Sequence, residues 1–246
     1  NRDIAEAGVL RDAAADLAVE TLWFGTQADD YKLLSAEVQG EETLASAMAG
    51  AREIKMHIQS LGAHFAMNAL GAVACVSALG ADLDKALRSL ALWSPVKGRG
   101  AREEIQMEAG TILLLDDSYN ANPTSMAAAL DVLAATPGEG RKIAYLGDMK
   151  ELGPAEVSLH AELAQRSSLS DVDQIHCIGP LMQHLHASLP DDKRGAWYET
   201  SAEAVLDLAS QIQSGDIVLA KGSLSIALAK IVDGIRNLGH AGATQS

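Results

Sequence analysis

Residues 112–126 have the sequence ILLLDDSYNANPTSM, which decides the fold of the chain around it. The apolar run at its start is too short for a typical helix and contains no turn residue, so it predicts a buried strand. Apolar side chains on both faces favour a parallel strand that helices cover on both sides. Pro123 fits the first turn of a helix that Asn122 would cap. Asp116 and Asp117 are therefore predicted at the carboxyl end of a strand, where open α/β sheets bind ligands. As an alternative, Asn, Asp and Ser are ordinary loop residues.

After residue 100 the sequence alternates between short apolar runs and longer helical periods. This alternation predicts an α/β fold, a Rossmann-like domain with a mostly parallel sheet. The predicted strands are 103–108, 111–116, 142–146, 174–178, 196–198 and 217–220. The predicted helices are 123–135, 155–167, 181–189, 202–212 and 225–238.

The first hundred residues predict helices over 3–19 and 63–79 and strands over 21–24 and 31–39. The side chains of the predicted helix 63–79 are small and apolar on nearly every side, so we expect the helix to be buried on all sides. Gly80 should end it, and Asp82 should cap the next helix. Residues 42–59 stay open, because their alanines favour a helix whereas Gly50-Ala51 favours a hairpin. Residues 94–100 (SPVKGRG) contain one proline and two glycines and predict a linker between domains.

Composition and charge argue against several classes of partner. The chain has 246 residues, of which 48% are hydrophobic, and a formal net charge of −14. That charge disfavours nucleic acid and an anionic membrane surface, since both are bound through Lys and Arg. The sequence contains no apolar run long enough to span a bilayer. Cys75 and Cys177 lie in apolar contexts and predict buried free thiols, which suits a cytoplasmic protein.

Three polar loops are predicted to meet at one edge of the sheet. Residues 117–122, 147–151 and 221–223 each follow a predicted strand, and parallel strand ends point the same way. Together they could bind the ribose and phosphates of a nucleotide or the charged ends of a peptide. Our candidate substrate-binding residues there are Asn122, Asp148, Lys221 and Ser223. The alternative is that Asp148 and Ser223 are helix caps and that the lysines are solvated.

Other polar residues carry weaker signals. His64 and Asn68 lie four apart and share one helix face, although Asn68 could equally be a satisfied buried amide. Arg99 lies between two glycines, where its guanidinium could bind a phosphate, or it could be a solvated linker charge. His184 and His186 are two apart and point in different directions on a helix, so we predict no metal site there. The pattern G-x-x-x-x-G-K-[ST] does not occur, so this sequence contains no P-loop.

Two of these segments together resemble a known family. DDSYNANPTSM at residues 116–126, followed by GDMKELG at residues 147–153, is similar to the C-terminal domain of the Mur ligases. Within that family, the first segment most resembles members that add D-alanyl-D-alanine to UDP-N-acetylmuramoyl-tripeptide. The resemblance implies an ATP-dependent ligase of cytoplasmic peptidoglycan biosynthesis that works through an acyl phosphate, with ATP and Mg²⁺. It also favours the hairpin over residues 42–59.

The resemblance implies roles for the polar residues of the first half. Gly62-Ala63-His64 followed by Asn68 is similar to the family's adenine-binding motif. Phe65 departs from it, because the family often has Asn at that position. Gly98-Arg99 resembles the family's Gly-Arg at the junction of its central and C-terminal domains, where the arginine reaches the phosphates or the ribose of ATP.

The remaining implied roles fall on the predicted edge of the sheet. Asp117 corresponds to the carboxylate on the nucleotide ribose, and Tyr119 and Asn120 to neighbours that approach the nucleotide or the incoming amine. Lys221-Gly222-Ser223 resembles the family's Lys-Gly-Ser, although Leu224 stands where Arg commonly follows. His160 falls where the family often has a histidine, and we assign it no role. The candidate ATP-binding residues are therefore His64, Asn68, Arg99, Asp117, Tyr119 and Asn120.

The resemblance also implies a domain division. Residues 1–100 would be the later part of a central ATP-binding domain, and residues 101–246 the C-terminal Mur ligase domain. The P-loop and the magnesium-holding residues would lie upstream, so we predict no metal ligand here and no activity of this chain alone. The implied partners are UDP-N-acetylmuramoyl-tripeptide and D-alanyl-D-alanine, and we expect a monomer.

Three alternatives stay open. The enzyme could be a Mur ligase that adds a single amino acid. Asp116, Asp117, Asp148 and Lys221 also resemble the phosphoacceptor site of a receiver domain, although Gly222 stands where a receiver usually has proline. Finally, the chain could be an α/β interaction module without chemistry.

Overall fold

The computed structural model describes residues 1–40 and 42–241. The chain divides into two compact units, Asn1–Pro95 and Val96–Ser246. The division lies within residues 94–100, the segment whose proline and glycines predict a linker.

The first unit is built on a four-stranded sheet. Its elements are α1 Ala7–Asp16, β1 Phe24–Gly25, β2 Tyr31–Gln39, β3 Glu42–Ala49, β4 Arg52–Ile58, α2 Ala63–Ala78 and α3 Leu83–Leu90. The strand order is β1-β2-β3-β4, with β1 parallel to β2 and the other pairs antiparallel. The hairpin is thus the correct alternative for residues 42–59. Gly50 forms its turn with a φ of +59°, which glycine adopts without steric cost.

Two predicted elements at the start of this unit are shorter than expected. The helix predicted over 3–19 begins only at Ala7. The reason is that the Asp3 carboxylate accepts hydrogen bonds from the backbone N–H groups of Thr26 and Gln27, which holds that end outside the helix. The strand predicted over 21–24 is reduced to the two residues of β1.

Helix α2 is buried on one side only. Leu70 and Val73 belong to the core against the sheet, whereas Asn68 and Cys75 are exposed. The predictions of a helix buried on all sides and of a buried Cys75 are therefore wrong. The alternative that Asn68 is a buried amide is also wrong, because Asn68 is exposed. The helix is rich in alanine, which is apolar in a sequence pattern but small enough to stand on a surface.

Helix ends follow their local sequence signals. Gly80 lies just past α2 with a φ of +78°, as a C-terminal glycine should. The Asp82 side chain accepts from the Lys85 N–H and caps α3. These two predictions are confirmed.

The second unit carries a six-stranded sheet. Its strands are β5 Ala101–Met107, β6 Gly110–Asp117, β7 Lys142–Gly147, β8 Gln174–Ile178, β9 Arg194–Tyr198 and β10 Ile217–Lys221. Its helices are α4 Pro123–Ala135, α5 Glu156–Glu162, α6 Met182–Ser188, α7 Ser201–Gln211 and α8 Ala229–Ala241. The strand order is β5-β6-β10-β7-β8-β9, and among the described strands of this sheet only β5 and β6 pair antiparallel. The predicted α/β fold with a mostly parallel sheet is confirmed.

Helices cover both faces of this sheet, as the apolar strands require. Helices α4 and α6 pack on one face through Met126, Leu130 and Leu185. Helices α7 and α8 pack on the other face through Leu208 and Ile235. Opposed residues Asp117, Lys221 and Leu146 show that the strands β6, β10 and β7 end at the same level. The three polar loops therefore leave the sheet at one edge, which we call the rim.

Two helices of this unit are shorter than predicted. The segment predicted as a helix over 155–167 continues after α5 as short 3₁₀ turns. The helix predicted from residue 225 begins only at Ala229. Ala227 has a left-handed φ of +57°, which interrupts the helical path before it.

Within the described residues, no helix is both long and apolar enough to cross a membrane.

His176 on β8 is fully buried in the core of the second unit. Its Nδ1 accepts from the Ala196 N–H at 3.1 Å, and its ring stacks on Tyr145 with centroids 4.6 Å apart. Among the described residues, its Nε2 has no hydrogen-bond partner. Burial lowers the pKa of His176 from 6.5 to about 4, because the charged ring would lose its hydration.

We therefore expect the second unit to lose stability as the pH falls from 6.5 to about 4. In that window the unfolded chain binds a proton at this histidine and the folded chain does not, so protons favour unfolding. The loss due to His176 is at most about 3 kcal/mol. Urea unfolding of wild type and His176→Phe across this window tests it. The free energy of unfolding of the variant should be lower by a constant amount, because the contact with the Ala196 N–H is lost, and it should depend less steeply on pH than that of wild type. An equal pH dependence in the two proteins would contradict the prediction.

Candidate functional site

The two neighbouring carboxylates at the end of β6 have different surroundings. Asp116 is buried, and its Oδ1 accepts from the Ser118 hydroxyl at 2.6 Å. Its Oδ2 accepts from the Gly98 N–H at 3.0 Å and from the Arg236 guanidinium at 3.2 Å. Asp116 therefore ties residues 98–100 and helix α8 to the end of the strand, and both of its oxygens are occupied.

Asp117 instead pairs with a buried lysine. The Lys221 Nζ lies 2.6 Å from the Asp117 Oδ2 and also donates to the Asn120 carbonyl at 2.9 Å. The Lys221 side chain is 2% exposed and the Asp117 side chain 26%. Burial raises the pKa of Asp117, although Lys221 opposes that change. Among the described residues, nothing donates to the Asp117 Oδ1, so this oxygen can accept a hydrogen bond from a ligand.

The Gly98–Arg99 segment packs on the loop after β6. The Arg99 guanidinium lies 4.1 Å from the centroid of the Tyr119 ring, a cation–π contact, and both side chains are exposed. The Tyr119 N–H donates to the Gly98 carbonyl at 3.0 Å. Gly98 has a φ of +77°, and a Cβ there would come within 3.2 Å of the Tyr119 Cβ. The glycine of the Gly-Arg pair is thus needed for its conformation and for this close contact.

The two asparagines of this loop differ in what they do. Asn122 caps α4: its Oδ1 accepts from the Ser125 N–H at 2.8 Å, and the Ser125 hydroxyl accepts from the Asn122 N–H at 3.0 Å. The predicted cap is therefore confirmed, and it occupies the Asn122 Oδ1. Asn120 is exposed and offers its side chain to solvent, while its carbonyl holds Lys221.

The loops after β7 and β10 are bonded to each other. The Ser223 N–H donates to the Asp148 carbonyl at 3.0 Å, and the Lys150 N–H donates to the Ser223 Oγ at 3.0 Å. Gly222 and Gly147 make this approach possible, because a Cβ on Gly222 would lie 2.9 Å from the Gly147 Cα. The glycines of the two motifs therefore face each other at the rim.

Asp148 is fully buried, with both carboxylate oxygens occupied. Its Oδ1 accepts from the Met182 N–H at the start of α6, at 2.9 Å, and its Oδ2 lies 2.8 Å from the Lys150 Nζ. This geometry supports the alternative that Asp148 serves a helix N-terminus. The Lys150 side chain is partly exposed, whereas the alternative of solvated lysines is wrong for the buried Lys221.

His64 and Asn68 lie on α2 in the first unit. The ring centroids of His64 and Phe65 are 4.2 Å apart, and those of Phe65 and Trp93 are 6.0 Å apart. Phe65, the departure from the family motif, thus packs among rings, and Asn68 is exposed with its amide able to meet a ligand.

Sequence reasoning missed two residues that hold the rim. Arg236 pairs with Glu103 as well as Asp116, and the Glu103 carboxylate raises the pKa of Arg236. His160 accepts from the Met149 N–H in the loop after β7. The family's frequent histidine at position 160 was a signal for the second, whereas no local pattern marks Arg236. Among the described residues, no three His, Cys, Asp or Glu side chains converge to hold a metal ion.

Comparison with known proteins finds one family across the second unit. The family described as "Mur ligase, glutamate ligase domain" matches residues 101–224, which include the whole sheet from β5 to β10.

Two curated relatives are named UDP-N-acetylmuramoyl-tripeptide–D-alanyl-D-alanine ligase. The one from Bacillus subtilis (strain 168) is 30% identical over 222 residues, which are 87% of this chain and 46% of the relative. The one from Escherichia coli (strain K12) is 33% identical over 180 residues, 72% of this chain and 38% of the relative. The chain thus spans less than half the length of these relatives.

Solved structures agree on the fold. MurF from Acinetobacter baumannii superposes with a TM-score of 0.75 at 27% identity, over 94% of this chain and 49% of that one. MurF from Thermotoga maritima, solved in complex with ADP, gives a TM-score of 0.76 at 22% identity, over 95% and 52%. The second likeness concerns the fold alone.

Proposed function

Because this chain belongs to the Mur ligase family, we propose that it is part of an ATP-dependent ligase that adds D-alanyl-D-alanine to UDP-N-acetylmuramoyl-tripeptide. The names of the relatives support this reaction. The observation on which it rests here is the rim, where the loops of the motifs DDSYNANP, GDMK and KGS meet around the Lys221–Asp117 pair.

The proposed reaction has two steps. The γ-phosphoryl group of ATP moves to the terminal carboxylate of the tripeptide, which gives an acyl phosphate and ADP. The amine of D-alanyl-D-alanine then attacks the carbonyl carbon, phosphate leaves with the bonding electrons, and the amine gives up a proton. The protein accelerates such phosphoryl transfer mainly by positioning and by stabilising charge.

Four candidates at the rim or packed beside it suit a nucleotide. The free Asp117 Oδ1 can accept a ribose hydroxyl, while Lys221 holds the other oxygen in place. The exposed Arg99 can reach phosphate oxygens, and the Tyr119 ring beneath it limits its orientations. We keep Asn120 as a neighbour of the nucleotide or of the amine, because its side chain is exposed.

The other candidates divide into binding and support. We still propose His64 and Asn68 as adenine ligands, on the resemblance alone. We likewise propose that residues 1–100 are the later part of the central domain. For Asn122 and Asp148 we propose support instead of substrate contact, because their oxygens are bonded within the chain. Lys221 supports the site by holding the Asp117 carboxylate, and Ser223 supports it by accepting a hydrogen bond from the Lys150 N–H.

Mg²⁺ would neutralise charge on the transferring phosphoryl group. The described residues offer no cluster of three metal-binding side chains, so we assign the ion to none of them. We propose that the metal ligands and the P-loop come from another part of the full-length protein. We propose that the enzyme works in the cytoplasm, where ATP and nucleotide-linked precursors are available, and a monomer is still our prediction.

The receiver alternative has little support from the geometry. A phosphoacceptor needs a free carboxylate oxygen, and both oxygens of Asp148, the aspartate that stands alone at its strand end, are occupied by the Met182 N–H and the Lys150 Nζ. Both oxygens of Asp116 are occupied as well, so Asp117 is the one aspartate of this set with an oxygen that no described residue bonds. A Mur ligase that adds a single amino acid is the remaining enzymatic alternative.

Phosphate release by the full-length protein that contains this chain tests the proposal. With ATP, Mg²⁺ and UDP-N-acetylmuramoyl-tripeptide, we expect release only when D-alanyl-D-alanine is present, and none from the 246-residue chain alone. Release with a single amino acid in place of the dipeptide would move the assignment to another Mur ligase. If no phosphate is released with any acceptor, the α/β interaction module without chemistry would be the remaining alternative.

A further inference from the structure

His160 lies at the end of a hydrogen-bond network that reaches the rim. It is fully buried on α5, and its Nε2 accepts from the Met149 N–H at 2.9 Å. Its Nδ1 lies 2.6 Å from the Glu156 carbonyl oxygen. A carbonyl only accepts, so Nδ1 carries the proton, and Nε2 must be bare to accept from a backbone N–H. The two contacts therefore specify one neutral tautomer of the ring.

This ring fixes the loop that follows β7. The Lys150 N–H, the next along the chain, donates to the Ser223 Oγ. The Ser223 N–H in turn donates to the Asp148 carbonyl. Residues 148–150 are thus held by His160 from inside and by Ser223 from the neighbouring loop. Ser223 lies two residues after Lys221, the partner of Asp117. The network therefore joins α5, the loop after β7 and the loop after β10.

We propose that His160 is a positioning residue for the ligase reaction, which rests on the proposed function above. It does not touch a substrate, because it is fully buried. It fixes the backbone of residues 148–150, and through the Lys150–Ser223 bond it fixes the Lys-Gly-Ser loop beside the Lys221–Asp117 pair. Supporting residues of this kind often change activity substantially when they are lost, because the groups they hold must be placed within a fraction of an ångström.

Two substitutions separate positioning from filling of space. His160→Leu keeps an apolar side chain but removes the acceptor, so the Met149 N–H has nothing to bond. His160→Gln is long enough to place an amide oxygen near the former Nε2. His184→Leu is the matched control, because His184 is a half-buried histidine of the same unit to which the rim contacts assign no role.

Steady-state kinetics of the full-length protein are the first measurement. We expect His160→Leu to lower kcat about 10- to 100-fold while the KM for ATP changes less than about 2-fold. His160→Gln should recover most of kcat, and His184→Leu should match wild type. A melting temperature lowered equally in both His160 variants, with kcat unchanged, would make the residue merely structural and overturn the proposal.

Hydrogen exchange gives a readout that does not depend on activity. In His160→Leu the amides of Met149, Lys150 and Ser223 should exchange about 10-fold faster or more than in wild type, and in His160→Gln close to the wild-type rate. Unchanged exchange at Lys150 and Ser223 would overturn the coupling of the two loops. If the wild type releases no dipeptide-dependent phosphate, the proposed function fails, whereas exchange still decides the coupling.

Discussion

Replacing Lys221 by Met should destabilise the second unit by about 3 kcal/mol and lower kcat/KM for ATP at least about 100-fold. Methionine fills much of the same space, but it leaves the Asp117 carboxylate without the cation 2.6 Å away. Burial already raises the pKa of Asp117, and without Lys221 this carboxyl group would bind a proton more readily. The stability figure is at the low end for a broken buried pair, because Asp117 keeps some contact with water. Urea unfolding and steady-state kinetics measure the two effects.

A second variant shows that the missing charge is the cause. Lys221→Met combined with Asp117→Asn removes both charges, so it should recover much of the stability, since no unpaired ion stays buried. It should not recover activity, because the carboxylate proposed to bind the ribose is gone. Lys230→Met is the control, because Lys230 is an exposed lysine of the same unit. A double variant as unstable as Lys221→Met alone would refute this explanation.

Replacing Gly222 by Ala should destabilise the same unit by about 2 kcal/mol and lower kcat about 10- to 100-fold. The new Cβ would lie 2.9 Å from the Gly147 Cα and 2.9 Å from the Leu228 Cδ1. Leu228 could rotate, but the Gly147 backbone can move only if the loops after β7 and β10 separate. Their mutual bonds through Ser223 would then lengthen. Thermal unfolding and kinetics of the full-length protein measure both effects.

Gly8→Ala is the matched control for this substitution. Gly8 lies within α1, and a Cβ there would meet nothing within 4 Å. Alanine favours a helix over glycine by up to about 1 kcal/mol, so this change should leave stability equal or slightly higher. If Gly222→Ala behaves like Gly8→Ala in both measurements, the close contact at the rim is not a constraint.

Local sequence determined much of the fold because the signals involved act over a few residues. The apolar run before Asp116 specified strand β6, and Asn122 with Pro123 specified the start of α4, since a cap and its helix are adjacent in the chain. The alternation of strands and helices along the chain specified a parallel sheet. Because parallel strands end at the same edge of a sheet, it also specified where the three polar loops of the rim gather. Where residues were small and apolar, as along α2, the same reasoning failed, because alanine does not reveal which side of a helix is buried.

Only the tertiary structure decided what each polar side chain does. Two adjacent aspartates have opposite roles because Asp116 meets Arg236, 120 residues away, and Asp117 meets Lys221, 104 residues away. Asp148 appeared as a substrate ligand in sequence, but it lies inside the unit, bonded to the start of α6. The sequence by itself therefore determined the strands, the caps and the edge at which the polar loops gather. Which oxygens at that edge stay free for a ligand was decided by packing, since a hydrogen bond between distant residues exists only once the sheet has brought them together.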